Sequence, residues 1–242
     1  AYLVSRGDSS SQATVGTTYC QIFAVDEIDL DRLDAAWGKV QKRHGMMRAS
    51  VEEDGTQSIA PSSKIGHIER AKCANSSEAK QQLEEIKRTV FALAKPPLHR
   101  VVSISWHEES GKQTRLVFCF DYTVLDALSV MTVLAELAEL YENPGADLPG
   151  IGLTFRDFVV GHRRDGREVE EAEGYWRSRL PELPPAPQLP LAADPSTVGE
   201  GRFERLWRTV AEPEWSAVKE KARLHGITPS AVLLACYARV LS

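Results

Sequence analysis

Residues 118–129 read FCFDYTVLDALS, and this stretch passes from a strand pattern to a helix pattern through a short turn. The segment from Thr114 to Phe120 has apolar residues on both faces, as in a central strand. A helix pattern then runs from Asp126 to Tyr141. The sequence therefore predicts a strand–turn–helix unit with a carboxylate, Asp121, at the end of a buried strand.

The residues before this unit predict strands and helices in alternation. Residues 17–25 are rich in β-branched and aromatic side chains, which indicates a mostly buried strand. Asp29 or Asp31 is placed to cap the helix that follows. Residues 47–60 indicate a β-hairpin, because their Asp-Gly pair tolerates the positive φ angles of a tight turn.

A second helix and a strand lie between this hairpin and the central unit. The helix opens at Ser76 or Ser77, and its apolar face is expected to extend to Leu93, before two consecutive prolines that cannot continue a helix. The strand is predicted over 99–106, and the polar turn 108–113 joins it to the central strand.

The C-terminal side begins with a helix over 170–179. A proline-rich connection follows it at 181–201, because prolines there favour extended chain. A late strand is expected around 202–210, and two closing helices over 212–224 and 229–241. Together these elements predict an α/β (α+β) fold with a mixed, largely antiparallel sheet flanked by helices.

Composition excludes several classes of function. With 242 residues and 43% hydrophobic content the chain can bury a full core, and its net charge is -5 with the basic residues scattered, which argues against nucleic-acid binding. No apolar run approaches the roughly 20 residues that span a bilayer, so no membrane segment is predicted. The first residues lack the pattern of a secretory signal, and a cytoplasmic location is expected.

The cysteines and histidines show no metal-binding spacing. The four cysteines are widely separated, and three of them, Cys20, Cys119 and Cys236, lie in apolar runs. They are expected to be reduced core thiols. The six histidines form no i, i+4 pair, so no metal site is predicted.

The two carboxylates of the central unit have different interpretations. Burial of a carboxylate raises its pKa toward the range useful for proton transfer, which makes Asp121 a candidate catalytic group. The alternative for Asp121 is an ordinary polar strand end within a structural network. Asp126 stands where an N-cap accepts from the amide of Ser129, a contact that contributes about 1 kcal/mol, and this structural interpretation is favoured.

Asp121, Asp126 and Ser129 form the pattern D-x-x-x-x-D-x-x-S, which resembles the signature of heterocyclization domains of nonribosomal peptide synthetases. Ordinary condensation domains carry H-H-x-x-x-D-G instead. In that comparison Asp121 replaces the first His, Tyr122 replaces the catalytic second His, and Ala127 replaces Gly. The mechanism based on His is therefore excluded.

Further segments are similar to the same family and follow in its order. They are AYLVSR at 1–6, RHGMMR at 43–48, TFRDF at 154–158, YWRSRL at 175–180 and TPSAVL at 228–233. The first departs from the family's A-Y-x-x-G-R motif, because Ser5 stands in place of Gly. The resemblance covers nearly the whole chain.

The resemblance implies a chloramphenicol acetyltransferase-like fold, in which two lobes enclose a tunnel. Residues 1–180 would form the N-terminal lobe, 181–201 a connection, and 202–242 a return strand and closing helices that lead to a C-terminal lobe. The partners implied are an upstream donor and a downstream acceptor carrier-protein domain, together with the chain's own C-terminal lobe. No cofactor or metal is bound directly, because substrates arrive on the phosphopantetheine arms of the carriers.

The reaction implied joins a carrier-bound acyl or peptidyl thioester to a carrier-bound Cys, Ser or Thr and then closes a thiazoline or oxazoline ring with loss of water. Asp121, Asp126 and Ser129 would form the catalytic motif. Arg48 of the RHGMMR segment is expected to form a structural salt bridge with Asp126. Since further residues implicated in ring closure lie on the C-terminal lobe of the family, the lobe alone is expected to be inactive.

Two other functions compete with this interpretation. A noncatalytic lobe that docks carriers or serves as a scaffold would keep the fold without the reaction. An ordinary acyltransferase of the same fold would need a basic His where this chain has Asp121 and Tyr122. The motif residues favour the heterocyclization enzyme.

Overall fold

The computed structural model of the chain describes residues 17–161, 166–185, 188–194, 197 and 207–241. By the density of its internal contacts the chain divides into two compact units, Ala1–Arg163 and Arg164–Ser242. The predicted division at residues 180 and 201 refers to the lobes of the resembled family and stays a prediction.

The first unit is built on a mixed sheet whose described strands are β1 (Thr18–Val25), β4 (Glu69–Lys72), β5 (His99–Glu108) and β6 (Gly111–Asp121). In space their order is β1-β6-β5-β4. β6 pairs antiparallel with both of its neighbours, and β4 pairs parallel with β5. The predicted central position of β6 and the largely antiparallel sheet are confirmed.

A separate two-stranded sheet contains the predicted hairpin. It pairs β2 (Ala49–Val51) with β3 (Gln57–Ile59). Gly55 of the turn has φ +83°, a conformation that L side chains rarely adopt, as expected for the Asp-Gly pair. Residues 45–48 form a 3-10 turn before the hairpin.

Helices cover both faces of the larger sheet. They are α1 (Leu30–Arg43), α2 (Ser76–Lys87) and α3 (Ala127–Glu142), and a further short helix, α4 (Phe155–Gly161), has no buried residue. Asp29 caps α1 as predicted, because its carboxylate accepts from the amides of Asp31 and Arg32 at 3.0 Å. The apolar faces of α1 and α3 pack together against one face of the sheet.

Alternation along β6 produces two core clusters. Leu116, Phe118 and Phe120 join the cluster that contains residues of α1 and α3. Val117 and Cys119 join the cluster that contains residues of α2. Successive side chains of a strand point to opposite faces, which explains why β6 is apolar at every position from Leu116 to Phe120.

Several predicted features were wrong. In the described part of the sheet β1 is a half-buried edge strand rather than a mostly buried one, and Phe23 is 39% exposed. α2 ends at Lys87 and does not extend to Leu93, and Val90 is 57% exposed. The turn between β5 and β6 is tighter than predicted, because Glu108 pairs with Gly111.

The predicted state of two cysteines is also corrected. Cys20 and Cys119 are joined by a disulfide across β1 and β6. The register places them directly opposite each other, with their Cα atoms 4.2 Å apart. Cys73 and Cys236 are free, and Cys236 is exposed rather than in a core.

The second unit contains three α-helices in its described part. They are α5 (Gly166–Arg179), α6 (Glu212–Leu224) and α7 (Pro229–Leu241), and the last two have the predicted bounds. Residues 202–206 of the predicted late strand lie outside the described residues, and 207–210 form no strand. No single helix in the described ranges is long and apolar enough to cross a membrane, and α6 with α7 passes only as a bent pair, by length and composition alone.

Candidate active site

The site is centred on Asp121, the last residue of β6. Its amide donates to the carbonyl of Leu98 at 3.0 Å, which ties the end of β6 to the start of β5. Asp121 lies opposite Thr18 of β1 and is 0% exposed. The predicted carboxylate at the end of a buried strand is therefore present.

Hydroxyl and amide donors surround one oxygen of this carboxylate. Oδ1 of Asp121 accepts from the hydroxyl of Thr123 at 2.6 Å and from its amide at 2.9 Å. The hydroxyl of Thr17 lies 3.4 Å from the same oxygen. Since a buried carboxylate is stable only when it is hydrogen-bonded or paired, these donors compensate for its removal from water.

The backbone of Asp121 also starts the turn that leads to α3. Its carbonyl accepts from the amides of Val124 at 3.2 Å and Leu125 at 3.3 Å. Val124 and Leu125 are buried in the core cluster shared with α1 and α3. The turn is thus fixed by hydrogen bonds at its start and by apolar packing at its end.

Tyr122 is held on the β1 side of the turn. Its ring stacks on that of Tyr19, with centroids 5.7 Å apart and planes at 19°. Its amide donates to the carbonyl of Thr17 at 3.0 Å. The position at which ordinary condensation domains have their catalytic His is occupied here by part of an aromatic stack.

Asp126 and Ser129 form the N-terminal cap of α3, as predicted. Oδ1 of Asp126 accepts from the amide of Ser129 at 2.8 Å and from its hydroxyl at 2.6 Å. Asp126 is exposed. The side-chain hydrogen bond from Ser129, followed by the backbone one, lowers the pKa of Asp126. The cap stays ionised near neutral pH and suits the positive end of the helix dipole.

The predicted salt bridge between Arg48 and Asp126 is not formed in the structure, which describes both residues. The guanidinium of Arg48 instead donates to the carbonyls of Gln41, of Lys42 at 2.9 Å and of His44 at 3.4 Å. Its Nε donates to the carbonyl of Ala60 at 3.0 Å. The last carbonyls of a helix have no hydrogen-bond partners within the helix, so those of α1 are free to accept from the guanidinium of Arg48.

Helix α3 also contacts the end of α1 through a glutamate that the sequence analysis did not identify. Glu136 lies on α3 and accepts from Nε of Arg43 at 3.0 Å, while Nε2 of His44 lies 2.6 Å from the same oxygen. Their side chains are 18 to 21% exposed. Arg43 and His44 belong to the RHGMMR segment, so this segment contacts α3 through Glu136 rather than through Asp126.

The predicted site residues thus fall into two separate groups, and the group around Asp121 includes two threonines that were not predicted. Asp126 pairs with Ser129, and Asp121 pairs with Thr17 and Thr123. The Asp-x-Thr spacing could have identified Thr123, because Asp and Thr side chains commonly bond to nearby backbone in turns. Thr17 gave no local signal, since it is distant in sequence.

Nothing in the described part of the chain forms a metal site. Among those residues, no group of three His, Cys, Asp or Glu side chains could hold a metal ion. Among the described residues, the carboxylate of Asp121 and the hydroxyl groups beside it are candidates for proton transfer.

The Condensation domain family matches residues 12–242, and the chain belongs to this family. The chain is 30% identical over 255 residues to pyochelin synthetase PchF of Pseudomonas aeruginosa and 30% identical over 260 residues to phenyloxazoline synthase MbtB of Mycolicibacterium paratuberculosis. Each match covers 100% of this chain, but only 14% and 21% of the relatives. The chain therefore spans a small part of these proteins.

A solved structure extends the comparison to a cyclization domain. The EpoB cyclization-docking bidomain of Sorangium cellulosum matches with a TM-score of 0.82 and 31% identity, over 99% of this chain and 49% of that one. The fold is that of condensation domains, which is chloramphenicol acetyltransferase-like, and the resemblance to heterocyclization domains is confirmed.

Proposed function

We propose that the chain is the N-terminal part of a nonribosomal peptide synthetase domain that condenses two carrier-bound substrates and closes a heterocycle. The observation that supports this most is Asp121, a fully buried carboxylate at the position where ordinary condensation domains have His. The relatives agree, since one is a phenyloxazoline synthase and a solved neighbour is a cyclization domain.

The proposed reaction has two steps. In the first, the amine of a carrier-bound Cys, Ser or Thr attacks the carbonyl of the donor thioester, an amide forms, and the donor's thiol leaves with the proton that the amine loses. In the second, the side-chain sulfur or oxygen attacks the new amide carbonyl, and one water leaves as the ring forms. Both substrates arrive on phosphopantetheine arms, so the partners proposed are a donor and an acceptor carrier domain.

Asp121 is the proposed proton-transfer group of the second step. Ring closure requires removal of a proton from the thiol or hydroxyl and delivery of a proton to the departing oxygen. A buried carboxylate with a fixed orientation is suited to one of these transfers, because the low-dielectric surroundings strengthen its interaction with a reacting group. Asp126 and Ser129 are proposed to act by holding the start of α3, through their cap.

A carrier assay tests the proposal. The chain is assayed alone and within a complete cyclization domain, with an acyl-loaded donor carrier and a Cys-loaded acceptor carrier, and the acceptor is analysed by mass spectrometry. The expected product is an amide that has lost one further water, formed by the complete domain and reduced by Asp121→Ala. The chain alone is expected to form neither product.

An acceptor carrier loaded with Ala is the matched control, because Ala has the amine for the first step and no nucleophile for the second. It should give amide without further loss of water. The second candidate function, a lobe that only docks carriers, predicts carrier binding with neither amide nor ring from Cys or Ala. That result would overturn the proposed reaction.

A further inference from the structure

We infer that the disulfide between Cys20 and Cys119 is a redox-sensitive cross-link, whose reduction by a small-molecule thiol weakens the attachment of strand β1 to the sheet beside the candidate site. Neither carriers nor ring closure is needed for this change, which lies beyond the proposed function. Its support comes from the place of β1 in the sheet, the unequal burial of the two cysteines and the contacts between β1 and Tyr122.

Strand β1 is held on one side only in the described part of the sheet. It pairs with β6 and with no other described strand, whereas β5 pairs with both β6 and β4. None of its eight residues is fully buried. Because segments with few buried contacts open most readily, a cross-link at this strand should strongly affect how often it opens.

The disulfide joins β1 to the strand with which it pairs. Cys20 and Cys119 lie directly opposite each other, and their Cα atoms are 4.2 Å apart. This separation is close to the roughly 4.5 Å of non-hydrogen-bonded antiparallel pairs, whose side chains approach each other most closely. The two residues are 99 positions apart in the chain, so the cross-link removes many conformations in which β1 is detached.

The two cysteines differ in their access to solvent. Cys20 is half-buried on the edge strand, whereas Cys119 is 0% exposed in the cluster that contains residues of α2. An incoming thiolate therefore attacks the sulfur of Cys20, the S–S bond breaks, and Cys119 leaves as a thiolate that takes up a proton. A second thiolate attacks the outer sulfur of this mixed disulfide and releases Cys20, which is protonated in turn. Two small thiols are thereby oxidised to one disulfide, and their two electrons reduce the disulfide of the protein.

The reduced protein should remain folded. Free cysteine behaves as a small apolar side chain, and both cysteines pack among apolar residues of the same cluster. The hydroxyl of Thr18 also donates to the carbonyl of Thr89 at 2.7 Å, a bond that does not depend on the disulfide. Reduction is therefore expected to loosen β1 without unfolding the first unit.

The start of β1 contacts the turn that follows Asp121. The amide of Tyr122 donates to the carbonyl of Thr17 at 3.0 Å, and the ring of Tyr122 stacks on that of Tyr19, the residue before Cys20. Opening of β1 at this end breaks both contacts. Hydrogen exchange at the amide of Tyr122 should consequently respond to the redox state of the disulfide.

Thiol counting combined with hydrogen exchange in the full chain tests the inference. Protein purified without reductant is compared before and after treatment with excess reduced glutathione, and free thiols are counted by alkylation and mass spectrometry. We expect two free thiols before treatment, those of Cys73 and Cys236, and all four afterwards. Exchange of the β1 amides and of the Tyr122 amide should become faster by about 10-fold or more, while amides between β4 and β5 change by less than about two-fold.

Cys73→Ser is the matched control, because it removes a cysteine that forms no disulfide. It should show the same change in exchange, with one free thiol fewer in each state. Cys20→Ser should exchange rapidly at β1 with or without glutathione, and the comparison in the unaltered chain stands even if this variant does not fold. Four free thiols before treatment, or only two after it, would overturn the inference, as would unchanged exchange at β1 once the disulfide is reduced. These results leave the proposed function untouched, since the carrier assay tests it separately.

Discussion

Asp121 and Asp126 belong to one motif, yet their surroundings are opposite. Asp121 ends a central strand, is 0% exposed and accepts from hydroxyl and amide groups of the turn. Asp126 begins a helix at the surface and accepts from the amide and hydroxyl of Ser129. Equal residue types at a fixed spacing therefore do not form a pair of equivalent carboxylates. Asp126 caps a helix, whereas Asp121 is the carboxylate proposed to transfer a proton.

The largest expected effect on stability concerns a buried histidine beside the strand that ends at Asp121. His99 of β5 lies opposite Phe120, the residue before Asp121, and is 5% exposed. Burial lowers the pKa of His99 to about 4, against a hydrogen bond with the backbone of Met47. Since the unfolded chain takes up the proton near pH 6.5, the free energy of unfolding should fall by about 3 kcal/mol between about pH 6.5 and pH 4.

Urea denaturation across this pH range measures the loss. In His99→Leu the proton-binding group is absent, so this part of the acid sensitivity should disappear, and the unpartnered Nε2 of His99 is removed with it. An equal fall in stability for both proteins would show that other groups cause the acid sensitivity.

Asp121→Ala is the next largest change. It removes an acceptor to which Thr17 and Thr123 donate, and it leaves the half-buried amide and hydroxyl of Thr123 without this partner. We expect a loss of about 2 kcal/mol in the free energy of unfolding at neutral pH. Denaturant titration measures it, with Asp147→Ala, at an exposed position in the loop after α3, as the control for a simple loss of charge. A loss no greater than that of the control would contradict the burial of Asp121.

Asp126→Ala should destabilise less, by about 1 kcal/mol, because it removes a single N-cap. Ser129 lowers the pKa of Asp126, so the contribution of the cap is present above the unfolded pKa of 3.8 and is lost as the pH falls through the lower folded value. Thermal unfolding at neutral pH checks this, and Asp126→Asn, which retains capping ability, should be nearly neutral. Equal losses for Ala and Asn would indicate a role other than capping.

The smallest expected effect is the coupling between Arg48 and Asp126. Arg48 donates to carbonyls at the end of α1 and Asp126 accepts from Ser129, so the two side chains share no contact. A double-mutant cycle of Arg48→Met and Asp126→Ala should give additive losses within about 0.5 kcal/mol. A coupling energy of several kcal/mol would restore the salt bridge expected from the family.

Strong periodicity explains which elements the sequence predicted well. The closing helices α6 and α7 have the predicted bounds, and β6 and α3 agree within a few residues, because their apolar patterns are long and end at clear caps. β4 was not predicted, because its residues, ERAK, are mostly charged. In the described sheet it pairs with β5 alone. α2 was predicted too long, because the helical spacing continues past Arg88 while the chain itself leaves the helix there.

Contacts between distant segments explain what the sequence could not predict at the site. The cap of Asp126 and the burial of Asp121 follow from local pattern. The hydroxyl of Thr17 reaches Asp121 only through the register of β1 on β6, and the same register joins Cys20 to Cys119. Register depends on the whole sheet, so no local rule identifies these pairs.

The rate of ring closure in Asp121→Asn and Asp126→Asn tests the central claim most directly. Asn keeps the size of both side chains and keeps the cap at 126, so the two variants differ in whether a proton-transfer group is lost. With Cys-loaded acceptor in the complete domain, Asp121→Asn should close the ring about 100-fold more slowly or worse, and Asp126→Asn should remain close to the unaltered rate. Equal slowing of both variants, or a normal rate in Asp121→Asn, would contradict the division of roles between the two aspartates.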